Sequence, residues 1–143
     1  MISPLIQGIL EIIKSVNFNL SGKRVYILAK KSPFSDLLER TFYNFGVENI
    51  LIGDKSIFSE ICEADLVVVA LGKEKFLKLN MVKDGCFVID VGINKNEEGK
   101  IVGDVDRESF REKTGWLTPV PGGVGPMTVA MLLKNVLDFY PHT

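Results

Sequence analysis

At 143 residues with a formal net charge of −1, the chain has the length of one domain and no basic excess with which to hold a polyanion or an anionic membrane surface. No nucleic-acid or membrane partner is expected: the apolar run Leu66 to Leu71 is far shorter than a bilayer-spanning helix, and Met1 to Val16 lacks the cationic start and cleavage motif of a signal peptide. Two cysteines, Cys62 in an expected helix and Cys86 opening an apolar strand, make no disulfide framework and fit a reducing, cytoplasmic setting.

Ser3-Pro4 reads as an N-cap followed by proline at the first helical position. It opens an apolar helix over residues 1–16 whose wide apolar arc should lie against a sheet or a partner. A core over 22–140 follows. Val25 to Ala29 is a short buried strand, and a helix from about Phe34 to Phe45 is closed by Gly46. Asn49 to Ile52 is a second strand, Ile57 to Cys62 a short helix, and Leu66 to Leu71 a third strand, apolar on both faces as a central parallel strand must be. After a short connection at Lys78 to Val82 comes a fourth buried strand, Cys86 to Val91. Asn96-Glu97-Glu98-Gly99 reads as a hairpin tip between Ile93 and Ile101-Val102. Asp106 to Lys113 is a small helix and Trp116 to Thr118 a short strand, with Trp116 expected in the core. Strands alternating with helices predict an α/β, Rossmann-like, doubly wound and mostly parallel sheet with helices on both faces. Ligands of such sheets lie beyond the carboxyl ends of the strands. Gly72, Gly92 and Gly122-Gly123 should therefore gather around one cleft.

The most informative stretch is Thr118-Pro119-Val120-Pro121-Gly122-Gly123-Val124-Gly125-Pro126-Met127-Thr128, followed by helix formers to Phe139. Glycines between prolines make a loop that is stiff at its ends and bare in its middle, so a flat ligand can approach the main chain itself. Pro126 suits a first helical position, which would set the loop's amides near a helix N-terminus that favours an electron-rich group.

Pro121 to Leu133 resembles, almost letter for letter, the C-terminal signature of the methylenetetrahydrofolate dehydrogenase/methenyltetrahydrofolate cyclohydrolase family. Ala64 to Lys73, Val88 to Asn94 and Val102 to Asp106 match further blocks of that family in the same order, and Ser3-Pro4 with Gly8 resembles the start of its connecting helix. The similarity covers nearly the whole chain but only the nucleotide-binding half of the family. It implies NAD(P)-dependent oxidation of 5,10-methylene- to 5,10-methenyltetrahydrofolate, then hydrolysis to 10-formyltetrahydrofolate. Position by position, it implies cofactor contacts at Ala29, Lys30, Lys31, Asp54 and Ile93, and folate contacts at Pro121, Gly122, Gly123, Val124 and Gly125.

Two departures bear on the cofactor. Ala29-Lys30-Lys31 and then Ser35 stand where the family usually has Gly-Arg-Ser and a further glycine, and lost glycines should crowd or displace a pyrophosphate. Asp54 ends the second strand, where a carboxylate favours NAD over NADP, while Lys30 and Lys31 could neutralise a 2′-phosphate. Family habit implies NADP, with NAD the alternative. The family's acid-base residues lie in an N-terminal folate half, so no catalytic residue and no metal site is assigned here. The folate is expected to be shared with that half, whether it is an N-terminal domain missing from this sequence or a separate chain; a homodimer is also compatible with the greasy first helix. A second reading is a non-catalytic binding or interaction module on the same fold. Asp90 and Asp104, beside strand and hairpin glycines, read as turn-stabilising carboxylates. His142 reads as part of a frayed terminus.

Overall fold

A computed structural model describes residues 3–54, 59–112 and 115–140. Its centre is a parallel sheet of β1 (Arg24–Ala29), β2 (Asn49–Gly53), β3 (Leu66–Ala70) and β4 (Phe87–Asp90), in the spatial order β2-β1-β3-β4. The order reverses between β1 and β3, because β1 pairs with β2 on one side (Val25 opposite Ile50) and with β3 on the other (Val25 opposite Leu66). A fifth segment extends the edge beyond β4 through a single bridge between Val88 and Leu117.

Side chains alternate across a strand, so each strand of this sheet feeds two cores. Val25, Ile27, Val68, Phe87 and Ile89 face α1 (Pro4–Ser15) and α2 (Pro33–Asn44), packing on Ile6, Ile9, Leu38 and Phe42. Tyr26, Leu28, Val67, Val69 and Val88 face the other way, onto Ile61, Leu77 and Phe110. That second face is covered by 3-10 turns at Ile61–Glu63, Leu79–Met81 and Arg107–Phe110. A small antiparallel hairpin, β5 (Asn94–Lys95) and β6 (Ile101–Val102), closes on Asn96, whose side-chain oxygen accepts from the Glu98 and Lys100 amides. The last element, α3 (Val124–Phe139), lies on α1.

Several expectations change. The short helix placed at Ile57 to Cys62 is a 3-10 turn starting at Ile61, with residues 57 and 58 outside the described residues. The helix placed at Asp106 to Lys113 is likewise a 3-10 turn, Arg107–Phe110, and residue 113 lies outside the description. Three or four residues make about one 3-10 turn, too few to sustain an α-helix without a long apolar stripe. Trp116 is 57% exposed rather than core, since a single bridge holds its segment at the sheet's rim. Cys62 is exposed and Cys86 buried. His142 lies outside the described residues.

Candidate functional site

The exit of β4 and the entry of α3 meet to enclose a cavity of about 470 Å³. Asp90, Val91, Gly92 and Ile93 form one side, Pro119 to Pro126 the other, with Leu5 of α1, Ile101 of the hairpin and Thr128 closing the rest. All five residues expected to contact folate, Pro121, Gly122, Gly123, Val124 and Gly125, line it, and Ile93 joins them from across the cleft, 67% exposed. The Val120–Pro121 peptide is cis, and Gly122 has φ +105°, a conformation that a side chain strains. Nothing lies within 4 Å of where a Cβ would stand at Gly122 or Gly125, so bare main chain borders the space. The helix begins at Val124, two residues ahead of the position expected from Pro126. Proline is tolerated there because the first four helical amides have no partner within the helix anyway. The rim of the loop is thus the first turn of α3.

Two buried carboxylates set this geometry. Asp90, 1% exposed, accepts from the amides of Gly92 (2.9 Å), Asp104 (3.0 Å) and Val105 (3.1 Å). Burial pushes its carboxyl above the ordinary range; those three amides oppose the shift, and the nearby Asp104 charge adds to it. Asp90 borders the cavity, and both of its oxygens are bonded to the chain's own amides, so it braces the β4 exit. Asp104, fully buried, accepts from the amides of Leu71 (2.7 Å), Gly72 (3.1 Å) and Lys73 (3.0 Å) and from the Asn94 side chain (2.8 Å). These bonds tie the hairpin to the β3 exit. Thr118 caps the arrangement by accepting from the Asp90 amide at 2.9 Å, and its carbonyl accepts from Arg107 at 2.6 Å.

The remaining predicted residues stand elsewhere. Ala29, 2% exposed, ends β1 opposite Ala70 of β3; Lys30 and Lys31 follow it into solvent, and Asp54 is exposed after β2. None of the four lines the cavity with Ile93. The turn they flank is closed by its own side chains. Ser32 and Ser35 bond each other reciprocally, Ser32 amide to Ser35 Oγ at 2.9 Å and Ser35 amide to Ser32 Oγ at 3.2 Å, and Pro33 between them has no N–H. Nicotinamide-sized space is present at the β4 exit.

Sequence reasoning missed Leu5, Ile101 and Thr128 as wall residues. Leu5 and Thr128 arrive only because α1 and α3 pack together, with Gly8 of α1 admitting the Met127 and Thr128 backbone of α3. No local signal carries that juxtaposition. Among the described residues no group of three or more His, Cys, Asp or Glu side chains could hold a metal ion, and no helix is long and apolar enough to cross a membrane.

Comparison with known proteins agrees with this geometry. The family described as tetrahydrofolate dehydrogenase/cyclohydrolase, NAD(P)-binding domain, matches residues 4–143. The bifunctional protein FolD of Campylobacter jejuni (strain RM1221) is 42% identical over 134 residues, 91% of this chain and 47% of the relative. That of Bacillus pumilus is 41% identical over 140 residues, 95% of this chain and 49% of the relative. A crystal structure of the Campylobacter jejuni FolD enzyme superposes with a TM-score of 0.87 at 39% identity, covering 94% of this chain and 48% of that one. A Trypanosoma brucei FolD complexed with NADP cofactor and inhibitor gives 0.82 at 29% identity, again over 94% and 48%. The chain spans about half the length of the curated relatives it matches. It belongs to the tetrahydrofolate dehydrogenase/cyclohydrolase family, and what it contains of that family is the NAD(P)-binding domain.

Proposed function

We propose that this domain forms the ring-binding wall of a tetrahydrofolate dehydrogenase/cyclohydrolase site, completed by a folate-binding half. The observation that carries this reading is the single cavity shared by Gly92-Ile93 and Pro121 to Gly125. Its surfaces are main chain and aliphatic carbons, suited to the face of a flat heterocycle, and the main-chain groups of Gly122 and Gly125 stand open to it. Asp90 and Asp104 are bonded to the chain's own amides, and the acid-base groups for oxidising the methylene bridge or hydrolysing the methenyl cation are assigned to the other half, as the family resemblance implies. Positioning one reactant contributes several kcal/mol to lowering a barrier only when the other is held as well. Alone, the chain is inactive.

In relatives the dehydrogenase step uses a nicotinamide dinucleotide, which supplies the hydride acceptor; NADP is the cofactor by family habit and NAD the alternative. In this chain Ile93 and the glycine loop provide room for the nicotinamide-folate pair, while the cofactor contacts expected at Ala29, Lys30, Lys31 and Asp54 lie around a turn whose Ser32 and Ser35 amides are already bonded. The serine pair at Ser32 and Ser35 therefore favours a second reading, a folate-binding module without its own redox step.

The test is to mix the chain with a separately expressed N-terminal half of a full-length relative and follow hydrolysis of 5,10-methenyltetrahydrofolate by loss of its absorbance. Hydrolysis above that of either half alone is expected, with Gly122→Val reducing it at least about tenfold, or 1.4 kcal/mol. A rate unchanged by Gly122→Val would overturn the assignment of the loop.

A further inference from the structure

We infer that the chain binds no dinucleotide phosphate at its sheet crossover, because its own side chains already occupy both sides of that place. This goes beyond the folate reading and does not depend on it. In a sheet of order β2-β1-β3-β4 the crevice opens between the exits of β1 and β3, and an anion there is held by the amides of the two following turns. At the β3 exit three successive amides, those of Leu71, Gly72 and Lys73, all donate to the Asp104 carboxylate. That nest holds a negative charge already and would repel a second. The task then falls wholly on the turn from β1 into α2.

There three amides are engaged as well. The Ser32 amide donates to Ser35 Oγ, the Ser35 amide to Ser32 Oγ, and the Asp36 amide to the Ser32 carbonyl; Pro33 has none to give. Ser35 Oγ donates onward to the Ser32 carbonyl at 3.0 Å, and the whole side chain is buried. A hydroxyl thus fills the spot that bare main chain would leave for a phosphate oxygen. The charges around it do not compensate. Lys30 and Lys31 are exposed, Asp36 puts a carboxylate in the first turn of α2, and Asp54 stands exposed at the neighbouring strand end. Exposed, solvated lysines give screened, nonspecific attraction rather than a site.

The experiment is calorimetric titration of the full chain with NADPH, NADH and inorganic pyrophosphate, alongside Ser32→Gly/Ser35→Gly, which frees both amides. For the chain as it stands, no saturable binding tighter than about 1 mM is expected from any of the three. For the double variant, checked for a cooperative melt, NADPH binding at least about tenfold tighter than that limit is expected. Tighter than millimolar binding of either dinucleotide by the unaltered chain overturns the inference. So does a folded double variant that gains nothing, since the serine pair would then not be what excludes the phosphate. If the double variant does not melt cooperatively, Ser35→Ala, which frees the Ser32 amide alone, is read by the same two outcomes. Folate titrations run in parallel keep a failure here distinct from a failure of the ring-binding cavity.

Discussion

At the scale of single residues, the site is shaped by carboxylates that touch no ligand. Gly103 is where this is tightest: a Cβ there would land on the Asp90 carboxylate. Gly103→Ala must therefore push Asp90 off its amides or shift the hairpin, and a loss of about 1–3 kcal/mol is expected from chemical denaturation. Asp65 shows the opposite electrostatic balance from Asp90. Burial pushes its carboxyl up, but the Arg24 amide and the Lys83 ammonium outweigh that and hold it below the ordinary value of 3.8. A depressed folded-state value means that Asp65 stabilises the fold above the unfolded value and that this support is lost as pH falls through the folded one. Asp65→Asn should accordingly lower the Tm near neutrality and flatten its decline below about pH 4, as thermal melts across that range would record. An equal Tm difference at every pH would show that the effect is not ionic.

At the scale of elements, the strands were legible and the short helices were not. Val25 to Ala29, Leu66 to Leu71 and Cys86 to Val91 are runs of apolar residues that can be satisfied only by burial on both faces, and the four-stranded sheet follows from them within a residue or so. Arg107–Phe110 and Ile61–Glu63 carry helical residues but lack the length for an α-helix, so the backbone settles into single tight turns. The convergence of Ile93 with Pro121 to Gly125 could be anticipated because strand exits share one edge of a parallel sheet. The ties of Asp104 to Leu71, Gly72 and Lys73 could not, since they span more than thirty positions and depend on where the hairpin folds back. Ser35 was legible only as a missing glycine, not as the residue that satisfies the turn. The α1–α3 contact has a test of its own. A Cβ at Gly8 would lie 3.3 Å from Met127 and Thr128 backbone atoms, tight but tolerable; the extra carbons of Leu are not. Gly8→Leu should spread the two helices, lower stability by about 1–3 kcal/mol and expose the cavity wall, seen as faster amide exchange at Val124 to Thr128.

At the scale of the whole molecule, the outer face of α3 is the least finished surface. Leu132, Leu133, Val136 and Leu137 are all more than half exposed, and Phe139 and Tyr140 continue the stripe at 67% and 70%. A patch of this extent on one helix is the kind of surface that proteins cover at an interface, and the relatives matched here have about twice the chain length. Leu133→Lys/Leu137→Lys should change the stability of the isolated chain by less than about 0.5 kcal/mol, as exposed substitutions do, while preventing assembly with a folate-binding half in gel filtration. Assembly that survives the paired lysines would place the interface elsewhere.

The two outer helices have one more implication. Leu5 stands with Gly125 and Pro126 at the cavity, Gly8 meets Met127 and Thr128, and Lys14 faces the same groove as Lys134, so α1 and α3 run side by side in the same direction from that opening. Whatever fills the opening leans on the beginnings of the first and the last helix together. It would act as a clasp between stretches of chain more than a hundred residues apart, and occupancy should slow fraying of the first turns of both helices at once.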